Sequence, residues 1–409
     1  MMYSIGIFFY SLAVRLAAFF NCKAQLMADG QKQTFDLLRQ KIDPQAKYVW
    51  FHAASLGEFE QGRPLIEKIK RQHPQTKILL TFFSPSGYEV RKNYSEADVV
   101  CYLPLDFKKN AEQFLDLVPL DKAIFIKYEF WKNYLDTLRQ RGIPTYIISA
   151  RFMPKQIFFK WYGRTWRNIL KNFTTLFVQD AQSKELLAAN GIRNVVVNGD
   201  TRFDRVHEIF VQKKQLPLIE QFLHISEGKK DLTLVAGSTW QPDEHLLIPY
   251  FNAHPELKLL IAPHEIGEDR IRQITSQLKR PCLRYSELTE ANAGTADCLI
   301  IDCFGLLSSI YRYGEIAYIG GGFETGLHNV LEAAVYGIPV LWGPQYARFR
   351  EAKELIAFGG GLSVRDAAEF NNRMDELVLK PDRRKEIGKK AGLFVTQNLG
   401  ATDTIYAKI

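Results

Sequence analysis

The sequence lacks every signature of a cysteine-built site. Its five cysteines, Cys22, Cys101, Cys282, Cys298 and Cys303, are odd in number and scattered through apolar runs, with Cys298 and Cys303 too widely spaced for a Cys-x-x-Cys pair. That excludes a disulfide framework and a zinc-ligand set, and fits reduced thiols in a cytosolic compartment. There is no Gly-x-Gly-x-x-Gly after the first apolar run, no Gly-x-x-x-x-Gly-Lys-[Ser/Thr], no His-Glu-x-x-His and no Asp-x-Asp. A dehydrogenase, a P-loop enzyme, a zinc protease and a transferase holding its diphosphate through a divalent metal are disfavoured together. The sequon Asn172-Phe173-Thr174 has no meaning in such a compartment.

Acidic residues are also missing locally. None precedes Asp29, and none occurs from Arg151 to Asn172, in a chain whose net charge is +8. The first of these stretches, Met1 to Phe20, is the most apolar in the sequence and is interrupted only by Arg15. Its length approaches the ~20 residues that span a bilayer. Arg15 and Lys23 on its C-terminal side would leave the body of the protein cytoplasmic. The cost of Arg15 at a bilayer centre leaves a helix lying flat in the interface as the alternative to a span, and a core helix of the first domain is the third possibility. No basic region precedes the apolar run, which argues against a secretory signal.

The second acid-free stretch combines Arg151, Lys155, Lys160, Arg164, Arg167 and Lys171 with Phe152, Phe158, Phe159, Trp161, Tyr162 and Trp166. Cations and aromatics on one helix suit anionic headgroups at a membrane surface. Single-stranded nucleic acid and a partly buried helix with snorkelling cations are the rival readings. Membrane contact is the expectation taken forward, with no nucleic acid.

What is present is ordinary for a globular chain of 409 residues. The apolar fraction of 46% gives a core, and 24% charged residues exclude a polytopic membrane protein. The length suggests two or three domains of ~150 residues. Apolar runs at Tyr48–Ala53, Ile78–Phe83, Val99–Leu103, Ala123–Ile126, Thr145–Ile148, Thr175–Val178 and Val195–Val197 alternate with amphipathic stretches. After a polar, lysine-bearing interval at 204–231, a second series runs through Leu232–Ala236, Leu257–Ala262, Cys298–Ile301, Ile316–Ile319, Ile338–Trp342 and Gly361–Val364. Near-continuous apolar strands separated by helices mean parallel sheets covered on both faces. The expected fold is α/β, with two doubly wound Rossmann-like domains facing one another across a cleft and a membrane-prone N-terminal segment. Ligands of such sheets sit at the carboxyl ends of the strands. The expected boundaries are 1–28 for the anchor or interfacial helix, 29–205 for an acceptor domain, 206–230 for a connection and 231–409 for a nucleotide domain. The last helical stretch, Pro381 to Asn398, could cap either domain.

Two strand ends carry chemistry. Tyr318 to Pro344 reads as a strand running into Gly320, Gly321 and Gly322, then Gly326, then an apolar-periodic helix and another buried strand. Glycines let backbone approach a ligand, and helix N–H groups seat an anion. His328 and Glu332, four apart, would share one helix face. Tight strand-to-helix packing is the plainer explanation of such glycines, but the combination points to a seat for a nucleotide. The other strand end is Tyr48–Ala53, followed by Ala54-Ser55-Leu56-Gly57-Glu58. A carboxylate in the first turn of a helix is held ionised by the dipole and suits a general base.

These motifs occur in a specific order: the Ala53-to-Glu58 turn, Glu129-Phe130-Trp131, Gly199-Asp200-Thr201-Arg202-Phe203-Asp204, Ala236-Gly237-Ser238-Thr239-Trp240, Ala262-Pro263-His264 and Gly320-Gly321-Gly322 with Gly326-Leu327-His328-Asn329 and Glu332. From residue 30 on, the ordered set resembles the 3-deoxy-D-manno-octulosonic acid (Kdo) transferase family, which adds Kdo to a lipid A precursor. The resemblance implies an inverting, metal-independent glycosyltransferase of the B-type fold with no cofactor, acting at the cytoplasmic face of the inner membrane. Its donor would be CMP-Kdo and its acceptor the tetraacyl glucosamine disaccharide bisphosphate. Carried across, Glu58 is the catalytic base and Glu129 a second required acid. Ser238, Thr239, Pro263, His264, Gly320, Gly321, Gly322, Gly326, His328, Asn329 and Glu332 bind the donor. Arg151, Lys155, Lys160, Trp161, Arg164 and Arg167 are assigned to the acceptor or membrane surface.

Three departures stand out. His264 replaces a frequent arginine, with Arg270 as the substitute contact to phosphate. Lys127 stands where the family has a first acid ahead of Glu129. Gly199 to Asp204 has Asp200 and Arg202 where the family has asparagine and lysine, which keeps the positive charge. A B-type transferase or epimerase using a UDP-sugar is the alternative. No motif specifies an oligomeric state.

Overall fold

The computed structural model describes residues 2–225, 231–324 and 326–409. Two compact units emerge, one from Met1–Arg205 with Gly400–Ile409 and the other from Val206–Leu399. In the first, β1 (Tyr48–Ala53), β2 (Lys77–Phe82), β3 (Val99–Tyr102), β4 (Leu120–Ile126), β5 (Thr145–Ala150), β6 (Thr175–Val178) and β7 (Val195–Val197) form a sheet in the order β3-β2-β1-β4-β5-β6-β7. Every pairing is parallel. All six residues of β1 are buried, because alternate side chains enter different cores. Tyr48 and Trp50 join one cluster, while Val49, Phe51 and Ala53 join the other. That is the continuous apolar signal of a strand covered on both faces.

The second unit repeats the plan. Its strands β8 (Leu232–Thr239), β9 (Leu257–Pro263), β10 (Cys282–Arg284), β11 (Cys298–Ile300), β12 (Ile316–Ile319), β13 (Val340–Trp342) and β14 (Gly361–Ser363) lie in the order β10-β11-β9-β8-β12-β13-β14, again parallel. The sequence reading missed β10, a three-residue edge strand of only half-buried residues with no apolar run to mark it.

Residues 206–225, expected as a connection, are folded. The helix Thr201–Gln212 runs across the division between the units and Pro217–Phe222 forms another. The Leu216 N–H donates to the Tyr313 hydroxyl at 2.9 Å. Residues 226–230 of that expected connection lie outside the described residues. The helix Pro381–Gln397 belongs to the second unit, and the short helix Ala401–Tyr406 to the first, where Ile405 is buried in the core. The return is pinned by Asp204, whose carboxylate accepts from Gly400 N at 2.7 Å and Thr402 N at 2.6 Å.

The first apolar stretch forms the helix Met2–Ala17, and Asn21 caps a second helix, Cys22–Lys41, by accepting from Lys23 N and Ala24 N. Among the described residues no helix is long and apolar enough to cross a membrane. The first helix packs partly on the body. The Tyr3 hydroxyl donates to the buried Asp106 carboxylate at 2.5 Å, and its ring meets Trp166 edge-on at 5.6 Å. Phe8, Phe9, Phe19 and Phe20 remain exposed, the last at 93%.

The stretch 151–172 is not one helix. It consists of a 3-10 turn at Ile157–Phe159 and a short helix at Arg164–Leu170. Phe152 and Phe158 are core residues, so its aromatics divide between packing and surface. Only Trp161 and Tyr162 among them stand out into solvent.

Asp204→Ala removes the acceptor of two backbone N–H groups at the return of the chain. It should cost about 2 kcal/mol, as for hydrogen bonds to a charged group. Urea denaturation of wild type and variant measures this, and an unchanged midpoint contradicts it.

Candidate active site

The winding of the first sheet reverses beside β1, whose neighbours are β2 and β4. Loops leaving the carboxyl ends of two such strands diverge and open a ligand crevice. Glu58 follows β1 and Glu129 follows β4, so the topology brings both predicted acids to one place. Glu58 lies in the first turn of the helix Leu56–Gln72 and accepts from Ala54 N at 2.7 Å. Burial, reinforced by the Glu129 carboxylate, pushes its pKa up to about 7, against the opposing pull of the Ala54 N–H and Lys127. The sequence argument expected the helix dipole to hold it ionised. Desolvation outweighs the dipole here, and the result is a carboxyl that titrates near neutral pH.

Glu129 is buried and belongs to a polar network that the sequence reading passed over. Its Oε2 lies 3.1 Å from His52 Nε2 and accepts from Trp131 Nε1 at 2.6 Å. His52 Nδ1 lies 2.8 Å from Thr81 Oγ1, which accepts from Trp50 Nε1 at 2.8 Å. One signal was available: His52 is the only strongly polar residue of an otherwise apolar buried strand. Lys127, standing in place of a family acid, has φ +69 at the end of β4. This left-handed conformation, uncommon for a side-chain-bearing residue, turns the chain toward Tyr128 and Glu129.

Of the cations assigned to a surface, two are committed inside the fold. Arg151 pairs with Asp180 at 3.1 Å, and Arg167 donates to the carbonyls of Phe158 and Lys160. Lys155, Arg164 and Trp161 are exposed and Lys160 half-buried.

The second sheet reverses beside β8, between β9 and β12. Ser238 and Thr239 end β8, Pro263 ends β9 with His264 next to it, and Gly320 immediately follows β12. Gly320 N donates to Gly237 O at 2.9 Å. A Cβ at Gly320 would meet Ser238 O at 2.1 Å, and one at Gly322 would meet Gly343 N at 2.6 Å. Gly321 has φ +87, and its N–H donates to Asp243 Oδ2 at 3.0 Å; Gly326 has φ +106 and donates to Gly321 O at 2.9 Å. The amides of Gly320, Gly321 and Gly326, expected to face a phosphate, are thus spent within the protein, and close packing is what these glycines serve.

The expected helix also shrinks to Leu331–Ala334. His328 and Asn329 lie ahead of it, so His328 and Glu332 do not share a helical face. The loop instead brings three rings together. Trp240 stacks on His264 with centroids 4.5 Å apart, and His264 meets His328 at 4.7 Å. Trp240 Nε1 reaches His328 Nε2 at 3.4 Å. Burial, with His264 adding to it, lowers the His328 pKa to about 4, which leaves that ring neutral at pH 7. Glu332 accepts from Ser308 Oγ at 2.6 Å and Asn329 Nδ2 at 3.2 Å. Arg270, the suggested phosphate contact, is paired with the buried Glu244. Trp240 and Ser308 were missed as site residues, because only the fold brings them beside His328 and Glu332. No cluster of potential metal ligands occurs among the described residues.

Residues 29–205 match the family described as 3-Deoxy-D-manno-octulosonic-acid transferase (kdotransferase). The 3-deoxy-D-manno-octulosonic acid transferase of Aquifex aeolicus (strain VF5) is 28% identical over 338 residues, covering 81% of this chain and 86% of its own. The enzyme of the same name from Bordetella pertussis is 26% identical over 380 residues, covering 88% and 86%. Among solved structures, UDP-GlcNAc 2-epimerase from Neisseria meningitidis superposes with a TM-score of 0.61 at 14% identity, over 88% of this chain and 98% of its own. At that identity the likeness is one of fold, a pair of parallel-sheet α/β domains.

A raised carboxyl pKa has a thermodynamic consequence. Folding favours the protonated Glu58, so its ionisation destabilises the native state progressively as pH rises from the ordinary 4.5 to about 7. Glu58→Gln should therefore be more stable than wild type at pH 8, by on the order of 2 kcal/mol, and equal to it near pH 4. Denaturation midpoints at the two pH values check this, and no gain at pH 8 contradicts it.

Proposed function

The chain belongs to the Kdo transferase family, and from that premise we propose that it moves Kdo from CMP-Kdo to a hydroxyl of a lipid A precursor, with Glu58 as the general base. The observation that carries this is the placement of Glu58 at the carboxyl end of β1, half-buried beside Glu129, with a pKa raised to about 7. Such a carboxyl is half-ionised at neutral pH and strong enough to take a proton as the acceptor oxygen attacks. Displacement with a base on the acceptor face and the leaving group on the opposite face inverts the anomeric centre. In the second unit, Ser238, His264, His328, Asn329 and Glu332 line the strand ends at the other reversal and constitute the donor seat. The neutral His328 acts there as a hydrogen-bonding and stacking group, and Glu332 suits ribose hydroxyls.

The acceptor is a lipid, and the exposed Phe8, Phe9, Phe19, Phe20 and Trp161 support docking at the cytoplasmic face of the inner membrane. A helix that lies flat buries such a face among headgroups and acyl chains. Exposed Lys155 and Arg164 then meet anionic lipid.

Glu58→Gln should lower Kdo transfer by at least ~10²-fold, the span of a general base, while CMP-Kdo still binds. Wild-type kcat/KM should fall below pH 7 as Glu58 is protonated. Mass spectrometry of products from CMP-Kdo and the tetraacylated precursor gives the readout, and full transfer by the variant would falsify the assignment. Phe19→Ser with Phe20→Ser should weaken sedimentation with vesicles of anionic phospholipid by roughly tenfold, on the apolar area removed. Unchanged co-sedimentation contradicts the flat-lying helix.

A further inference from the structure

His52 has no role in the transfer chemistry just described, yet it is a fully buried imidazole with both nitrogens engaged. Buried polar groups are costly unless satisfied, and this set is aimed at one atom. Thr81, the residue opposite His52 on β2, accepts the Trp50 indole N–H at 2.8 Å. Its own hydrogen then has two acceptors in reach, His52 Nδ1 at 2.8 Å and the Phe51 carbonyl at 3.4 Å. The shorter contact is to Nδ1, so Nδ1 accepts and Nε2 carries the proton; the Trp131 indole N–H, 3.0 Å from Nε2 and 2.6 Å from Glu129 Oε2, then goes to the nearer carboxylate. That N–H points at Glu129 Oε2, 3.1 Å away, where the Trp131 indole N–H also converges at 2.6 Å. Phe125 and Trp131 pack edge-on against the imidazole at 5.7 and 6.3 Å and close its other sides.

We propose that His52 is a positioning residue for the general base: its Nε2–H, with the Trp131 indole, fixes the Glu129 carboxylate beside Glu58, and Thr81 selects the tautomer that does so. This rests on Glu58 being the base. Glu129 contributes through its charge, which disfavours ionisation of Glu58, whereas Lys127 and the N–H groups of Ala54 and Ser55 favour it. The Tyr128 phenol is a further titratable group within electrostatic reach of Glu58. With Glu129 released from His52, the like charge moves off and Glu58 becomes a more acidic, weaker base.

The full-length chain, labelled with carboxyl-13C glutamate, permits a test without substrate. The Glu58 resonance is assigned by its loss in Glu58→Gln and followed against pH. In wild type its midpoint should lie near 7. In His52→Asn, which has no donor at the Nε2 position, the midpoint should fall by about one unit or more. His52→Gln, which places an amide N–H there, should stay close to wild type. Thr81→Val should shift it as His52→Asn does, and decides the matter if His52→Asn does not fold. In transfer assays the acid limb of kcat/KM should move down with the midpoint and kcat should fall roughly tenfold, with the KM for CMP-Kdo unchanged. A Glu58 midpoint unmoved in both His52→Asn and Thr81→Val overturns the proposal. A midpoint that moves as expected while no form transfers Kdo supports the positioning role and rejects the transfer reading instead.

Discussion

A parallel sheet buried on both faces has to place helices above and below itself, and that requirement organises both halves of this protein. The chain winds outward from β1 through β2 to β3, then returns to add β4 on the other side. It does the equivalent at β8, with β9 on one flank and β12 on the other. At each reversal two strand ends are neighbours while their following segments part, and backbone and side chains are left open over the carboxyl edge. Residues far apart in sequence meet there. Glu58 and Glu129 do so in the first unit; Trp240, His264 and His328 do so in the second.

Carboxyl groups at the two reversals are treated differently. Asp243 accepts from Trp240 N, Gly321 N and the Tyr318 hydroxyl, and Glu244 from Thr239 and Arg270. Those two hold loops in place and have little acceptor capacity left. Glu58 has the backbone N–H groups of Ala54 and Ser55, partial burial and a like-charged neighbour. A group so incompletely satisfied is energetically costly in the ground state and chemically available. The glycine loop follows the same division. Its N–H groups satisfy the protein's own acceptors, and its freedom from Cβ atoms lets β12 and β13 approach their neighbours.

Much of the fold was legible. Strands such as Tyr48–Ala53, Thr175–Val178 and Ile316–Ile319 coincide with their apolar runs, because a strand buried on both faces leaves no polar residue to blur its ends. Edge strand β10 was invisible for the opposite reason: half-buried on a sheet margin, it needs no apolar run. Helix periodicity misled where aromatic residues serve loops. In 151–172 the core takes Phe152 and Phe158 from turns, and at 326–334 backbone bonds to the glycines hold the chain extended up to Asn329.

The amino-acid order alone determined the two sheets, the strand ends that carry function and the acids at the first of them, since apolar runs, glycines and carboxylates are local properties of the chain. Tertiary structure decided the rest. Whether Glu58 is an ordinary surface acid or a carboxyl of neutral-range pKa depends on how much water the fold removes from it and on Glu129 approaching from 71 residues further along the chain. Whether His52 is a core residue or part of the site depends on Thr81, Glu129 and Trp131 arriving around it. Desolvation and hydrogen-bond direction are set by neighbours in space, and no stretch of sequence contains them.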